Sequence, residues 1–384
     1  MSISAELIEI SPDGDVILVC GEQFRDGQVK KLKVNSATLA LGSPVMKATF
    51  KPHFKEGTDL RLNAGSSPLE ISLPEDDSLA MEIICHVLHL RNDAVDTSGE
   101  FSSEDILRVA IATDKYTCQI AMMFPAEKWL DRPHNDEQEL HVLFTTAYLF
   151  RNSHAFYKLG RGLINHTSLY STVSSASEYE KDHLLPVLHA LDWKRQEIQM
   201  RAHAAIEEAI DARSDIRNDP EVSHTCLPGC SIAEMCFHGF ILGLKRRNLY
   251  PLQAIRESTL RQVFGQMQSV YHKPPREAFA CASPDCIGRT KSLGQGWVGC
   301  LSYPAAHLQS SYGGPCLTCF LEDGCVCLQG CDHWADPEPP SWKSPWTFLE
   351  LPTADVPSPP TKPPTSVSAI AQTTTGHRRN LSLP

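Results

Sequence analysis

The pattern of apolar and polar residues changes period several times in the first 130 residues, which predicts a segment that mixes strands and helices. Three short runs are rich in β-branched residues or alternate apolar with polar positions, as half-buried strands do. The first two runs flank a polar loop and are expected to pair as a hairpin. The three predicted strands are Asp15–Cys20 (DVILVC), Lys30–Val34 (KKLKV) and Leu69–Pro74 (LEISLP).

Helical periods fill the stretches between these strands. Asn35 or Ser36 is a good N-cap, and Pro44 divides the apolar positions that follow between two short helices. Asp77 or Ser78 caps the next helix, whose apolar residues recur at intervals of three and four. The predicted order is therefore two strands, short helices, a third strand and then a helical run.

The helical run continues far beyond the last strand. Ser102 begins a helix with Asp105 in a capping box, and another helix is expected over Cys118–Leu130 with Pro125 in a break or in the first turn. Over Glu137–Met267 the pattern is helical almost throughout. Two apolar stripes in this part consist of Leu140, Leu143, Phe144 and Ala147, and of Phe156, Leu159, Leu163 and Ile164.

A long helix is predicted from about Asp182 to Arg213, after a polar loop at Ser171–Glu180. Its apolar residues follow a heptad-like spacing that Arg195 interrupts. Such a stripe serves either an intermolecular coiled coil or packing inside a helical domain. Packing inside the domain is favoured, because the stripe soon becomes small and polar. The stripe consists of Leu184, Leu188, Leu191, Ile198, Ala205 and Ala209.

Charge and composition narrow the classes of function. The net charge of −11 disfavours non-specific binding to nucleic acid or to an anionic membrane, since both need a basic surface. The N-terminus lacks the basic and apolar regions of a secretory signal, and no apolar run approaches the roughly 18 residues of a membrane-spanning helix. The chain is expected to be intracellular, in the cytoplasm or the nucleus, with its cysteines reduced.

The 14 cysteines fall into two groups. Cys20, Cys85 and Cys118 lie among apolar neighbours and are expected to be small core residues. The other 11 come after residue 225, and two pairs among them have the spacing of a zinc knuckle. Together the two pairs predict one closed, structural Zn²⁺ site that clasps the helical domain. Its four ligands would be Cys226, Cys230, Cys316 and Cys319.

A second group of cysteines, with one histidine, leaves two interpretations open. They either hold a second metal ion or are buried and idle thiols. Cys325, Cys327, Cys331 and His333 would crowd four ligands into nine residues, which is an awkward geometry. Cys281 or Cys286 would therefore have to join them. The residues concerned are Cys281, Cys286, Cys325, Cys327, Cys331 and His333.

Four short features occur in a fixed order between Asp13 and Leu130. They are Asp15-Val16, Ser43-Pro44-Val45 with Phe50, Leu73-Pro74 with Asp76-Asp77, and Ala112-Asp114-Lys115-Tyr116. In order and spacing this segment resembles a BTB/POZ domain, in particular the variant common in filamentous fungi. The resemblance implies an α+β fold, with a short three-stranded sheet flanked by helices. It also implies a protein–protein interaction module that tends to homodimerise.

These patterns divide the chain into four predicted parts. Residues 1–12 form an N-terminal extension, and residues 13–131 form the BTB/POZ-like domain. Residues 137–334 form an all-α, cysteine-rich domain with the zinc clasp. Residues 335–384 are rich in proline, serine and threonine, a composition that predicts a disordered tail.

The triplet Phe54-Lys55-Glu56 is the candidate partner-binding site. In BTB proteins that recruit a cullin scaffold for ubiquitin ligation, an apolar-x-Glu triplet follows the equivalent helix and inserts at the scaffold interface. Phe54 and Glu56 match those two positions. An exposed aromatic ring would supply buried area, and the carboxylate would fix the register. The alternative is that Phe54 packs inside the domain and Glu56 only solvates a loop.

The predicted function is that of a non-catalytic adaptor, whose interaction domain dimerises or binds a cullin scaffold while the helical domain selects a client. The alternative is a homo-oligomeric scaffold or a transcription-associated BTB protein without a ligase. The chain contains no G-x-S-x-G, no P-loop, no G-x-G-x-x-G after a strand and no H-E-x-x-H, so no motif supports an enzyme.

Overall fold

Alternating and β-branched residues build a small mixed sheet of four strands, in the order β1-β3-β2-β4. Strands β2 and β3 pair antiparallel, which confirms the predicted hairpin, while β1 pairs parallel with β3 and β4 pairs parallel with β2. The expectation of three strands is wrong by one, because β1 lies within the predicted N-terminal extension. The strands are β1 (Glu6–Glu9), β2 (Val16–Cys20), β3 (Lys30–Val34) and β4 (Leu69–Leu73).

Helices make up most of the rest of this computed structural model. It describes residues 6–23, 28–62, 67–95, 101–133, 136–166, 172–218, 232–270, 301–324 and 326–328, so the tail predicted to be disordered lies outside the described residues. The helices are α1 (Ser36–Gly42), α2 (Pro44–Thr49), α3 (Lys55–Leu62), α4 (Ser78–Leu88), α5 (Ser103–Tyr116), α6 (Gln119–Leu130), α7 (Glu137–Leu149), α8 (Ser153–His166), α9 (Thr172–Ser175), α10 (Glu178–Asn218), α11 (Ile232–Arg246), α12 (Gln253–Arg256), α13 (Leu260–Gln268), α14 (Ser302–Ser310) and α15 (Leu317–Asp323).

Strand β1 depends on tertiary pairing. Its four residues are largely exposed and too few to show a period of two. The ladder sets Ile8 beside Leu32 of β3, and the Lys33 ammonium lies 2.7 Å from the Glu9 carboxylate. The backbone N–H groups of Ile10 and Ser11 both donate to the Lys33 carbonyl, which anchors the end of the strand.

Polar caps set the starts of the short helices, and the cap at Asn35 and the division at Pro44 were predicted, whereas the cap at Ser43 was not. Asn35 accepts a hydrogen bond from the Thr38 N–H and caps α1, and Ser43 caps α2 with Pro44 in its first turn. The Ser43 side chain is fully buried, and its hydroxyl also donates to the Tyr116 carbonyl at 2.6 Å. One serine therefore both starts α2 and joins it to the end of α5.

Buried polar groups continue this connection. The Tyr116 hydroxyl donates to the Asp76 carboxylate at 2.7 Å, and the Lys115 ammonium lies 2.6 Å from the same carboxylate. Burial is the main reason that the pKa of Tyr116 is raised far above its ordinary value, and the Asp76 charge adds to it. The phenol therefore stays protonated and keeps donating to Asp76, which holds the turn before α4 against α5.

Helix α6 differs from expectation at Pro125. This proline lies inside the helix, where a break or a first turn was predicted. A proline in a helix interior removes one backbone hydrogen bond. Pro125 is buried together with Met122, Ala126 and Trp129, so packing of the inner face offsets that loss.

The predicted polar loop at Ser171–Glu180 also contains more structure than expected. Thr172 begins the short helix α9, and its N–H and hydroxyl both donate to the buried Asp192 carboxylate on α10. The hydroxyl of Ser177 accepts from the Glu180 N–H, so α10 starts at Glu178, before the predicted beginning. Asp192 lies 20 residues after Thr172, so this contact has no local signal in the sequence.

The apolar stripes of the helical part face one common core. The stripes predicted on α7 and α8 are buried, and the rings of Phe144 and Phe156 stack with centroids 4.5 Å apart. On α10 the first four stripe residues are fully buried in that core, and the two alanines pack against it. The stripe of α10 therefore packs within the chain, as favoured above, and does not form an intermolecular coiled coil.

The sheet-bearing part and the helical part share contacts where the predicted domains meet. The Trp129 ring lies 6.0 Å from the Phe101 ring and 6.1 Å from the Phe150 ring, measured between centroids. The Arg132 guanidinium donates to the Phe101 carbonyl at 2.6 Å. All described residues belong to one compact unit, Met1–Pro339. Within the described ranges, no helix is long and apolar enough to cross a membrane.

We predict that Ser43→Ala lowers the free energy of unfolding by about 2–3 kcal/mol, because it removes a helix cap and leaves the Tyr116 carbonyl without its donor inside the protein. Ser102 is the matched control, since it caps α5 at the surface. Ser102→Ala should cost only about 1 kcal/mol. Urea unfolding followed by circular dichroism measures both losses, and equal losses would contradict the structural role given to Ser43.

Candidate partner-binding turn and cysteine-bearing segment

The turn between α2 and α3 is held by its own backbone. The Phe54 N–H donates to the Lys51 carbonyl at 3.1 Å, and the Thr58 N–H donates to the Phe54 carbonyl at 3.1 Å. The Thr58 hydroxyl donates to the Pro52 carbonyl at 2.9 Å. These bonds close the chain on itself on both sides of Phe54, so the backbone direction at this residue is fixed.

Gly57 allows the two sides of this turn to approach. The residue is buried, and a Cβ atom placed on it would collide with the carbonyl group of Lys51 and with the carbonyl carbon of Phe50. Only glycine leaves room for backbone at such a contact. The first turn of α3 therefore lies directly against the end of α2.

Phe54 and Glu56 both reach the surface of this turn. The Phe54 side chain is 51% exposed, and the Glu56 side chain is half-buried in the first turn of α3. The alternative in which Phe54 packs inside the domain does not match this exposure. An exposed aromatic ring on a rigid turn can be buried by a partner without first reorganising the chain. A partner-binding role for the two residues stays a prediction.

The cysteines assigned to metal sites are only partly described. Cys226 and Cys230 lie outside the described residues, so the structure places two of the four predicted ligands, Cys316 and Cys319. Among the described residues, no group of three or more His, Cys, Asp or Glu is arranged to hold a metal ion. Of the second candidate group, Cys327 is described, and the others lie outside: Cys281, Cys286, Cys325, Cys331 and His333.

Cys316 and Cys319 lie at the start of α15. Cys316 is the N-cap residue in extended conformation, and the two side chains are 1% and 6% exposed. Helix α15 ends at Gly324, whose φ of +64° turns the chain back. The returning segment then passes beside the first cysteine, because the Cys316 N–H donates to the Cys327 carbonyl at 3.3 Å.

The residues before Cys316 dock this segment onto α8. A Cβ atom on Gly314 would collide with the Tyr157 carbonyl, and one on Gly160 of α8 would collide with the Pro315 ring. The Gly-Gly-Pro sequence therefore lies in direct contact with the backbone of α8. This close approach gives the Gly-rich loop around the CxxC pair a structural role, namely to place the pair against the helical domain.

Side chains of α8 extend the same contact. The Arg161 guanidinium donates to the Gln309 carbonyl at 3.0 Å and lies over the Tyr312 ring at 5.6 Å from its centroid. The Tyr312 hydroxyl donates to the Asn165 side chain. Burial raises the pKa of Tyr312 to about 12, so the phenol stays protonated at neutral pH and keeps its hydrogen bond.

Cys20, Cys85 and Cys118 are buried in the core next to the sheet, as expected. Burial raises the pKa of Cys20 to about 12 and that of Cys118 to about 11, and it raises the pKa of Cys85 as well. The Cys118 thiol donates to the Thr113 carbonyl at 3.7 Å. Thiols that stay protonated are poor nucleophiles and poor metal ligands, so these three residues are structural.

A groove that was not predicted lies between α6 and the turn that joins α7 to α8. It encloses about 500 Å³. Phe150, Leu130 and Ala126 contribute to its walls, and Arg151 and Lys158 lie along the edge opposite α6. One feature of the sequence could have pointed to this region: α6 carries apolar residues on both faces, so one apolar face must remain outside the core. Ile120, which lines the groove, is 91% exposed.

The chain matches no protein-family model, and no curated protein is similar to it at a significant level. The BTB/POZ resemblance therefore rests on the residues of this sequence alone. A family assignment stays a proposal.

We predict that Gly314→Ala destabilises the protein by at least about 2 kcal/mol, because the added methyl group must push the cysteine-bearing segment away from α8. Gly265 on α13 is the matched control, since a Cβ atom there meets nothing within 4 Å. Gly265→Ala should stabilise by roughly 0.5–1 kcal/mol through helix propensity. Thermal unfolding of both variants is the measurement, and a neutral Gly314→Ala would show that the segment does not dock on α8.

Proposed function

We propose that this protein is a non-catalytic, intracellular adaptor whose BTB-like N-terminal part binds a cullin scaffold of the ubiquitin system through Phe54 and Glu56. The observation that carries the proposal is the exposure of Phe54 on a turn whose backbone is fixed. An aromatic ring of this kind is a typical anchor of a protein interface. The client would be selected by the helical part.

The chemistry of the turn suits recognition by a protein. The Phe54 ring still has half of its surface to bury in a partner. Glu56 lies in the first turn of α3, two positions further on, where a carboxylate can pair with a basic residue of the scaffold and fix its register. Lys51 and Lys55 are exposed on the same turn, so the surface carries both signs of charge next to its apolar anchor.

The decisive experiment is affinity purification followed by mass spectrometry, with wild type and Phe54→Ala/Glu56→Ala compared in the same cells. We expect the wild type to recover a cullin and the double variant to lose at least nine-tenths of it. Truncating an anchor and its neighbouring charge typically costs several kcal/mol at an interface, which is enough for that loss.

The matched control is Arg61→Ala/Leu62→Ala, which removes one exposed apolar and one charged side chain from the far end of the same helix. This control should retain the cullin. If no cullin is recovered with the wild type, or if the control loses it equally, the ligase proposal fails. The homo-oligomeric scaffold would then be the better description of the protein.

The proposal includes a structural zinc ion held by Cys226, Cys230, Cys316 and Cys319. It is supported by the position of the described pair, since the two cysteines are separated by two residues around the first turn of α15 and are almost fully buried. A structural zinc site of this kind takes two such cysteine pairs, each from a tight turn of the chain, and it is closed to solvent. Here the ion would join the segment before α11 to the segment docked on α8.

We predict about one zinc per chain in the purified protein, and its loss in Cys316→Ser/Cys319→Ser. Inductively coupled plasma mass spectrometry of the protein after gel filtration measures the amount of zinc per chain. Cys118→Ser is the matched control, because serine keeps the donor to the Thr113 carbonyl and this residue is not a ligand. Wild type without zinc, or a double variant that keeps it, would remove the metal from the proposal.

A further inference from the structure

The two ring nitrogens of His89 connect two helices. His89 is the residue that ends α4, and its Nδ1 lies 2.8 Å from the Cys85 carbonyl oxygen. Its Nε2 accepts a hydrogen bond of 3.0 Å from the N–H of Asn35, the residue that begins α1. A carbonyl can only accept and a backbone N–H can only donate, so Nδ1 carries the proton and Nε2 carries none. The two bonds together therefore require one neutral tautomer of the imidazole.

The Asn35 N–H is the backbone group that a capping box satisfies at α5. There the Asp105 carboxylate accepts from the N–H of Ser102, three residues before it, at 3.2 Å. The equivalent position of α1 is Thr38, whose hydroxyl donates to the Asn35 side chain and leaves the Asn35 N–H to another acceptor. His89 is that acceptor, 54 positions further along the chain. The start of α1 therefore depends on a distant side chain that can take up a proton near neutral pH.

Protonation of His89 reverses the role of Nε2. The added proton points at the Asn35 N–H, so the hydrogen bond is replaced by a contact between two donors. Both residues are half-buried, and a donor that loses its partner away from water costs free energy. Burial also disfavours the charged ring and lowers the pKa of His89 from its ordinary value, although the bond to the Cys85 carbonyl acts in the opposite direction. The bond between α1 and α4 therefore requires the neutral ring.

The carboxylates around this contact are engaged with other groups. Asp15 lies beside the start of α1, where it accepts from the N–H of Ser36 at 2.7 Å and from its hydroxyl at 2.6 Å. Glu82 of α4 lies 2.5 Å from the Lys30 ammonium. Helix α1 itself carries no charged side chain. The charged and titratable groups on the elements next to the contact are Asp15, Lys33, Glu82, His86, Arg91 and Asp93.

The remaining groups do not favour a charge on His89. Lys33 is a cation, and the Arg91 guanidinium lies 3.3 Å from the Asp93 carboxylate, so that acid is paired as well. Burial is the main reason that the pKa of His86 is lowered, and a charge on His89 lowers it further. A proton on either of these two rings therefore disfavours a proton on the other.

We propose that His89 is a pH-sensitive link between α1 and α4, in which the neutral ring holds the start of α1 and uptake of one proton at Nε2 releases it under mildly acidic conditions. The other end of α1 has a different attachment, because a Cβ atom on Gly42 would collide with the Leu88 side chain of α4. That apolar contact does not titrate, so acid loosens the first turn of α1 and leaves its last turn in place. The inference goes beyond the proposed function and does not depend on it, since neither Phe54 nor Glu56 takes part.

The direction of the pH effect follows from the lowered pKa. Above the ordinary histidine pKa of about 6.5, the ring is neutral in the folded protein and in the unfolded chain. As the pH falls below that value, the unfolded chain takes up the proton first, because the pKa of His89 is lower in the folded protein. Stability is therefore lost on acidification. For one such site the equilibrium constant of unfolding rises by up to about tenfold between about pH 7.5 and pH 5.5.

The first test is NMR spectroscopy of the full-length wild type with ¹⁵N-labelled histidine. At about pH 8 we expect His89 to show the long-range ¹H–¹⁵N correlations of a ring protonated at Nδ1. A ring protonated at Nε2 at this pH overturns the proposal, because it cannot accept from the Asn35 N–H. Hydrogen exchange then follows the Asn35 N–H, whose protection should fall several-fold between about pH 7.5 and pH 5.5 after correction for the intrinsic rate. Unchanged protection also overturns the proposal.

The second test is urea unfolding of wild type and His89→Gln at the same two pH values. A glutamine oxygen accepts from the Asn35 N–H at either pH, so the unfolding constant of this variant should rise several-fold less on acidification than that of wild type. His183→Gln is the matched control, because Nδ1 of His183 lies 2.8 Å from the carbonyl four residues earlier and its ring is exposed. This control should keep the pH dependence of wild type. Equal pH dependence in His89→Gln and wild type overturns the proposal, and the NMR test on wild type decides if the variant does not fold.

Discussion

The buried contact between Ser43 and Tyr116 is the constraint that joins the two parts of the fold with exposed apolar side chains, the turn at Phe54 and helix α6. The Ser43 hydroxyl starts α2 and binds the carbonyl of the last residue of α5, 73 positions later. Helix α2 leads into the turn that presents Phe54, and α5 leads into α6, whose Ile120, Met123 and Phe124 are exposed. One buried hydrogen bond thus joins the helices that precede these two features, and the Asp76 carboxylate supports the contact by accepting from the Tyr116 hydroxyl.

The turn at Phe54 and the exposed face of α6 are built in different ways. The turn at Phe54 is rigid because its backbone bonds and the missing side chain of Gly57 lock it against α2. The exposed face of α6 is held in place because the opposite face of the helix is buried in the core. In both cases large apolar side chains are held at the surface by the structure behind them.

The cysteine-bearing segment is likewise held in place by close contacts with the helical core. Contact of Gly314 and Pro315 with α8 places Cys316 and Cys319 against the helical core. The Phe320 ring lies 6.1 Å from the Tyr148 ring, so α15 also packs on α7. The segment is attached to the core by these contacts among the described residues, and a metal ion would add a link to a distant part of the chain.

Local patterns in the sequence determined the strands β2, β3 and β4, the caps at Asn35 and Ser102, and the buried stripes of α7, α8 and α10. These signals act within one or two turns of chain, where propensity and capping suffice. Only the tertiary structure decided the pairing of β1, the helical state at Pro125, the capping of α9 by Asp192, the exposure of Phe54 and the groove beside α6. Each of these depends on contacts between residues far apart in the chain, and no local period encodes them.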